Sequence, residues 1–263
     1  WRGRKCSGLF RAAWLLEIVP CIVGEVVPES GLERRVVDRE VTGNLPLLKV
    51  PTVGIERLRA ELLDDDPAGG KGFENGIVYA LAEELGFDEE DVVWVRQTFD
   101  QGIAPGAKPY DFNIQQYSIT STRAEVVDFS DPYYTTKQSL VTIDGTSVIG
   151  ATTLADLADA RLGAAIGTTS LDFVEQVIQP NEAASVYDDN VDAIAALVAG
   201  QLDGIVVDLP TAYFMTAVQI PEQTEEEGVI VAQFAIEAAD PDVYGMLFAK
   251  GNELVPCVNE ALG

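Results

Sequence analysis

Beyond residue 46, short apolar runs alternate with longer segments whose apolar positions recur with a helical period. Short apolar runs bounded by turn residues predict strands, and segments with one apolar face predict helices. The predicted strands are residues 47–54, 92–95, 110–114, 139–143, 161–166, 184–187, 202–207, 229–234 and 243–249. The predicted helices are residues 75–86, 153–160, 171–179, 190–199 and 252–262.

This alternation of strands and helices at short spacing predicts an α/β fold with mostly parallel sheets. Ligands of such folds bind in crevices beyond the carboxyl ends of the strands. Three polar groups follow predicted strands: residues 118–123, residues 167–170 and Asp208. The pattern therefore predicts that these groups converge on one ligand cleft.

The composition narrows the classes of function. The chain has 263 residues, enough for one large or two modest domains, and 17 basic against 43 acidic residues give a formal charge of −26. So acidic a surface argues against binding nucleic acid or an anionic membrane. The chain contains no histidine and no Cys-x-x-Cys pair, which excludes Ser-His-Asp hydrolysis and the usual zinc sites. No metal and no cofactor are expected.

The N-terminal segment has the order of a signal peptide, because basic residues precede the apolar run 12–24. Glu17 interrupts that run, and Pro20 is a poor neighbour for lipid attachment at Cys21, so an export signal and a lipid anchor both stay open. Residues 1–46 are interpreted as a degraded signal plus linker that does not pack. No run of about 18 apolar residues predicts a transmembrane helix. Cys257 is expected to be a buried, inert thiol, and Pro256 must lie near the first turn of its helix.

The segment 111–134 carries the most specific chemistry. It combines a short strand, the polar turn Gln-Gln-Tyr-Ser-Ile-Thr-Ser-Thr, Arg123, and then Phe-Ser-Asp-Pro-Tyr-Tyr. A guanidinium beside hydroxyl donors suits a carboxylate, although Arg123 could instead pair with Glu125 or Asp128 on the surface. The segment resembles the signature of the extracytoplasmic solute-binding proteins that capture polar amino acids for ABC importers, the bacterial family 3 solute-binding proteins. The resemblance covers roughly residues 72–262.

The resemblance implies a two-lobed α/β clamshell of the type II periplasmic-binding-protein class, with the ligand cleft between the lobes. Residues 47–135 plus 244–263 would form lobe one, and residues 136–243 would form lobe two. The implied function is to bind a zwitterionic amino acid and deliver it to the membrane permease of an ABC importer, as a monomer in the periplasm or at the cell surface. The alternatives are a dehydratase-like enzyme on the same fold and a ligand-binding sensor module.

The resemblance also assigns roles in the cleft. Arg123 would hold the α-carboxylate with help from Ser118 and from the backbone at Gln116, and Asp208 would pair with the α-ammonium. The turn Gly-Thr-Thr-Ser at 167–170 would complete the carboxylate site; its ligand-binding members are Thr168, Thr169 and Ser170.

Each of these assignments has a structural alternative. The hydroxyl turn at 167–170 could be a plain helix N-cap, and Asp208 could cap the helix after Pro210. Phe99, which the resemblance places as a wall against the ligand side chain, could be ordinary core.

The chain departs from the family pattern in lobe one. No aromatic residue occurs between Leu15 and Gly72, where members carry a pocket lid, and Gly76 replaces a usual acidic residue. The helix after Phe99 is shortened to residues 102–109. Arg123 is the one basic residue placed in the cleft, which favours a polar or basic ligand.

Overall fold

The computed structural model describes residues 52–55, 72–224, 227–234 and 242–263, so the predictions for residues 1–46 lie outside the described part. The helices are α1 Phe73–Glu84, α2 Phe99–Ile103, α3 Ser121–Ala124, α4 Thr169–Phe173, α5 Asn190–Val198, α6 Leu209–Phe214, α7 Ile220–Thr224 and α8 Val255–Leu262. The strands are β1 Thr52–Ile55, β2 Val93–Arg96, β3 Phe112–Asn113, β4 Val127–Phe129, β5 Tyr134–Thr136, β6 Gln138–Thr142, β7 Leu162–Ala165, β8 Ser185–Tyr187, β9 Gly204–Asp208, β10 Val229–Gln233, β11 Asp242–Tyr244 and β12 Leu247–Ala249. Short 3₁₀ and π turns complete them at Glu89–Asp91, Leu154–Leu157, Val174–Ile178 and Met215–Gln219.

The first sheet has the strand order β2-β1-β3-β12-β4, and its core lies under α1 and α8. Ile77, Val78 and Leu81 form the buried face of α1, as the helical spacing predicts. They pack with Phe112 of β3 and Phe248 of β12. We call this sheet, with α1, α2, α3 and α8, lobe one.

The second sheet has the order β10-β6-β9-β7-β8, and apolar clusters cover both of its faces. Ile194 and Leu197 of α5 pack on one face, and Phe173 and Val174 pack on the other. We call this sheet, with α4 to α7, lobe two.

The prediction of mostly parallel sheets is wrong in its proportion. Each sheet has two parallel pairings, β1 with β2 and β3 in one and β7 with β8 and β9 in the other, and two antiparallel pairings. The antiparallel strand β6 directly follows β5, and β12 directly follows β11; β5 and β11 pair with each other as a ribbon between the two sheets. Strands β6 and β12 therefore enter their sheets without the crossover helix that a parallel strand needs.

The connection between the lobes is a two-stranded antiparallel ribbon of β5 and β11. The predicted single strand 243–249 is two strands in the structure: β11 pairs with β5, and β12 pairs with β4. Gly245 lies at the break, where a Cβ atom would approach Ile119 Cδ1 to 2.8 Å. The predicted lobe boundaries fall on this ribbon and stay predictions.

The helices predicted at 190–199 and 252–262 hold with shifted ends, whereas the one predicted at 153–160 is only a 3₁₀ turn at Leu154–Leu157. Pro256 is in the first turn of α8, as the sequence requires, but Cys257 is half-buried rather than buried. The helix predicted at 171–179 begins at Thr169 and turns into a π-helix at Val174–Ile178. Within the described ranges, no helix is long and apolar enough to cross a membrane. The same residues contain no group of three acidic or cysteine side chains placed to hold a metal.

Candidate functional site

A cavity of about 290 Å³ opens between the two lobes. Lobe one lines it with the start of α2 and the turn into α3, and lobe two lines it with the carboxyl ends of β7 and β9 and the N-terminus of α5. The structure brings all eight sequence-predicted site residues to this cavity: Phe99, Gln116, Ser118, Arg123, Thr168, Thr169, Ser170 and Asp208.

Arg123 lies on the single turn of α3, where its backbone N–H donates to the Thr120 hydroxyl at 3.2 Å. Its guanidinium is buried and spans the lobes: Nη1 donates to the Ser118 carbonyl at 2.7 Å and Nη2 to the Gly167 carbonyl at 2.8 Å. Burial lowers the pKa of Arg123, while nearby Tyr117 and several carboxylates oppose that shift. Asp128 instead pairs with Lys250 at 2.8 Å. The structure therefore places a desolvated, oriented cation in the cleft rather than a surface ion pair with Asp128.

Phe99 serves two contacts at once. Its ring lies 5.4 Å from the Arg123 guanidinium carbon and stacks on Tyr117 with a centroid distance of 4.5 Å. The Tyr117 hydroxyl donates to the Phe99 carbonyl at 3.1 Å. The packing alternative and the wall assignment are thus compatible, since one face of the ring packs in the core and the residue also lines the cavity.

The hydroxyl groups of the turn at 167–170 make different kinds of contact. Thr168 caps α4, because its hydroxyl accepts from Leu171 N at 3.2 Å and donates to the Ala165 carbonyl at 2.7 Å. The Thr169 hydroxyl instead lies 3.2 Å from the Ser118 hydroxyl, across the cleft. Gly167 has a φ of 72°, and a Cβ atom there would lie 2.8 Å from an Asp100 carboxylate oxygen. Glycine at this position therefore permits the close approach of the lobes.

Asp208 ends β9 at the N-cap position of α6, but its side chain makes no capping hydrogen bond. It accepts from Gln138 Nε2 at 2.8 Å, and the same nitrogen donates to Asp242 at 2.8 Å. Burial, followed by the negative charge of Asp242, raises the pKa of Asp208 to about 7. Tyr244, Gln138 and Arg123 oppose that shift. An added cation, such as an ammonium group, would stabilise the ionised form of this carboxyl group.

Gln138 and Asp242 are further residues at Asp208 that the sequence did not predict. Both lie where the ribbon β5–β11 meets the second sheet, and Gln138 is 1% exposed. Their only signal along the chain is a polar residue at the end of an apolar strand, which is also the signal of an ordinary strand end. Gln138 lies opposite Asp208 because β6 pairs with β9, and Gln138 Nε2 also donates to Asp242 of β11.

Three acidic residues at the start of α5, which we call the acidic wall, also belong to the site and were not predicted from the sequence. Asp188, Asp189 and Asp192 line the cavity, and Asp189 caps the helix by accepting from Asp192 N at 3.0 Å. With Asp208 they give the lining four carboxylates, against the single basic side chain of Arg123. In the described part of the chain, the cavity therefore has a strong negative bias.

Comparison with known proteins agrees with the resemblance. A model of the bacterial extracellular solute-binding proteins, family 3, matches residues 58–263. The chain is 31% identical over 176 residues to the L-arginine-binding protein of Pseudomonas aeruginosa. The aligned part is 62% of this chain and 66% of that relative, just under two thirds of the relative's length.

Solved structures show the same fold. An ancestral arginine-binding protein bound to arginine superposes with a TM-score of 0.64 at 28% identity, covering 81% of this chain and 90% of that one. The ancestral amino acid-binding protein AncCDT-1, a precursor of cyclohexadienyl dehydratase, superposes with a TM-score of 0.62 at 27% identity, covering 81% of this chain and 87% of that one. These likenesses confirm the predicted two-lobed α/β clamshell.

Proposed function

The chain belongs to the bacterial extracellular solute-binding proteins of family 3, and from that premise we propose that it binds a zwitterionic amino acid in the interlobe cleft and delivers it to an ABC importer. The observation that carries the proposal is the placement of Arg123 and Asp208 in one cavity, on different lobes. A buried guanidinium complements an α-carboxylate, and a half-buried carboxylate complements an α-ammonium. Both ends of a zwitterion are therefore satisfied only when the lobes enclose it.

The hydroxyl groups around Arg123 support the same ligand. Ser118 is 3% exposed and Ser170 is 4% exposed, and both line the cavity with Thr169. A carboxylate has about four lone-pair sites, more than one guanidinium fills. These hydroxyls, together with the backbone N–H groups at the start of α4, are donors for the remaining sites.

We further propose that the ligand is an amino acid with a cationic side chain. The acidic wall of Asp188, Asp189 and Asp192 supplies negative charge beyond the carboxylate assigned to the α-ammonium. An anionic side chain would meet like charge there, which costs binding free energy. The arginine-binding names of the relatives point in the same direction.

The remaining parts of the proposal follow from family membership. We propose an extracytoplasmic location and a permease as partner, with the protein acting as a monomer and not as an enzyme. Asp208 has its role as the ammonium counter-charge, so the cleft needs no catalytic acid to explain it. Incubation with a prephenate-like acid tests the dehydratase alternative, because turnover would contradict the binding role.

Calorimetric titration of the Arg123→Ala variant with arginine tests the proposal, and Arg161→Ala is the matched control. Truncating one partner of a buried, hydrogen-bonded charge pair costs roughly 2–5 kcal/mol, which is about 30- to several-thousand-fold in Kd. Arg161 pairs with Asp203 at 2.8 Å within lobe two and does not line the cavity, so its variant should bind as wild type does. Wild-type affinity in Arg123→Ala would contradict the carboxylate assignment.

Wild-type titrations with arginine, lysine, glutamine and glutamate then test the side-chain class. The proposal expects arginine or lysine to bind more tightly than glutamine, and glutamate to bind most weakly. Glutamate as the tightest ligand would overturn the cationic preference while leaving the zwitterion assignment intact.

A further inference from the structure

The backbone of Gln116 adopts a conformation that side-chain-bearing residues rarely take. Its φ is 52°, in the left-handed region, where a residue with a Cβ atom is held at a cost by its surroundings. The holding contact is a hydrogen bond of 2.7 Å from Gln116 N to the carboxylate of Glu74. Glu74 is 1% exposed, lies in the first turn of α1, and also accepts from the Tyr133 hydroxyl. Lobe one thus fixes the direction of the Gln116 side chain.

That side chain reaches the other lobe. Gln116 Oε1 accepts a hydrogen bond of 2.7 Å from the hydroxyl of Thr211, which is 4% exposed in α6 of lobe two. Both residues line the cavity. Opening the cleft would separate donor from acceptor, so this bond forms only when the lobes are close.

Among the described residues, Arg123 and the Ser118–Thr169 hydroxyl pair also make polar contacts across the cleft, and both contacts use groups assigned to the ligand. Arg123 donates to the Gly167 carbonyl, and the Ser118 and Thr169 hydroxyls lie 3.2 Å apart. A ligand carboxylate would compete for these donors. The Gln116–Thr211 bond uses neither the guanidinium nor the hydroxyls assigned to the carboxylate, nor Asp208.

We infer that Gln116 and Thr211 form an interlobe latch that stabilises the closed cleft independently of which amino acid is bound. This rests on the proposed function, and it gives the Gln116 side chain a role apart from the ligand-facing backbone. Binding affinity depends on the fraction of molecules in the binding-competent state, so the latch lowers Kd for every ligand by the same factor. A neutral hydrogen bond of this kind corresponds to about a 2- to 12-fold change in Kd. Glu74 is a positioning residue for the latch.

A double-mutant cycle tests the latch. Gln116→Met keeps the side-chain length and removes the acceptor, and Thr211→Val keeps the shape and removes the donor. We expect each single variant to raise the Kd for arginine and the Kd for glutamine by the same factor, about 2- to 12-fold. We expect the double variant to bind no more weakly than either single variant. Thr211→Ser keeps the hydroxyl donor, so it should bind as wild type does. Multiplicative losses in the double variant, or losses that differ between the two ligands, would overturn the latch.

A second measurement keeps the test independent of binding and of folding defects. Small-angle scattering without ligand should give a larger radius of gyration for both single variants than for wild type. Gln116→Gly should show the same expansion without a loss of thermal stability, because glycine adopts positive φ at little cost. Unchanged radii in all variants would refute the latch. Failure of wild type to bind any amino acid would refute the proposed function instead, and the ligand-free radii would still decide the latch.

Discussion

Acidification should weaken amino-acid binding through Asp208. The ligand-free carboxyl has a pKa of about 7, raised first by burial and then by Asp242. An ammonium ligand favours the ionised form, so binding below pH 7 must expel a proton. Each pH unit below the pKa then costs about tenfold in affinity. Between pH 8 and pH 5 we expect Kd to rise about 100-fold, while the α-ammonium and α-carboxylate of the ligand stay charged.

The contribution of Asp208 to the stability of the ligand-free protein should instead decrease as the pH rises. A carboxyl whose pKa is raised above its ordinary value near 3.8 binds its proton more tightly in the folded chain than in the unfolded chain. The contribution of Asp208 to stability is therefore present at low pH and is lost as pH rises from about 4 to about 7. Besides Asp242, the groups that face this carboxyl are Tyr244, Gln138 and the Arg123 guanidinium.

Titration calorimetry at half-unit steps from pH 5 to pH 8 measures the effect. Runs in two buffers of different ionisation enthalpy should show release of up to one proton per ligand below pH 7. Asp208→Asn is the matched control, and it should bind weakly with an affinity that does not vary with pH over this range. N-acetylarginine lacks the ammonium, so Asp208→Asn should reduce its binding far less than that of arginine. A pH-independent wild type, or a pH dependence that survives in Asp208→Asn, would refute the ammonium assignment.

Two further predictions follow. Gly102→Ala should destabilise the protein by about 1–3 kcal/mol, because its Cβ would lie 2.0 Å from the buried Tyr117 hydroxyl, whereas Gly76→Ala in α1 has open space and should add about 0.5–1 kcal/mol. Urea unfolding of both variants checks this pair, and equal destabilisation would contradict the packing around Tyr117. Saturating ligand should reduce the radius of gyration in small-angle scattering as the ribbon β5–β11 bends, and an unchanged radius with proven binding would exclude clamshell closure.

Local pattern was enough for most of the elements, although not for β4 and α7, and for part of the site. The spacing of Ile77, Val78 and Leu81 predicts the buried face of α1, and the polar turn before Arg123 predicts an anion site. Both are short-range signals, since a helix face and a strand end are set by residues within a few positions. The split of the predicted strand 243–249 was not visible in this way. An apolar run does not show which partner strand each half will pair with.

The sequence by itself determined the α/β class, the family resemblance and the polar residues that converge on the cleft. Only the tertiary structure decided what surrounds them. Gln138 meets Asp208 over 70 positions and Asp242 over 104 positions, and Gln116 meets Thr211 over 95 positions. The proximity of Asp208 to Asp242, the position of the acidic wall in the cleft and the Gln116–Thr211 bond depend on how the two lobes face each other. No local period encodes that arrangement, because burial and pKa arise from neighbours that are distant along the chain.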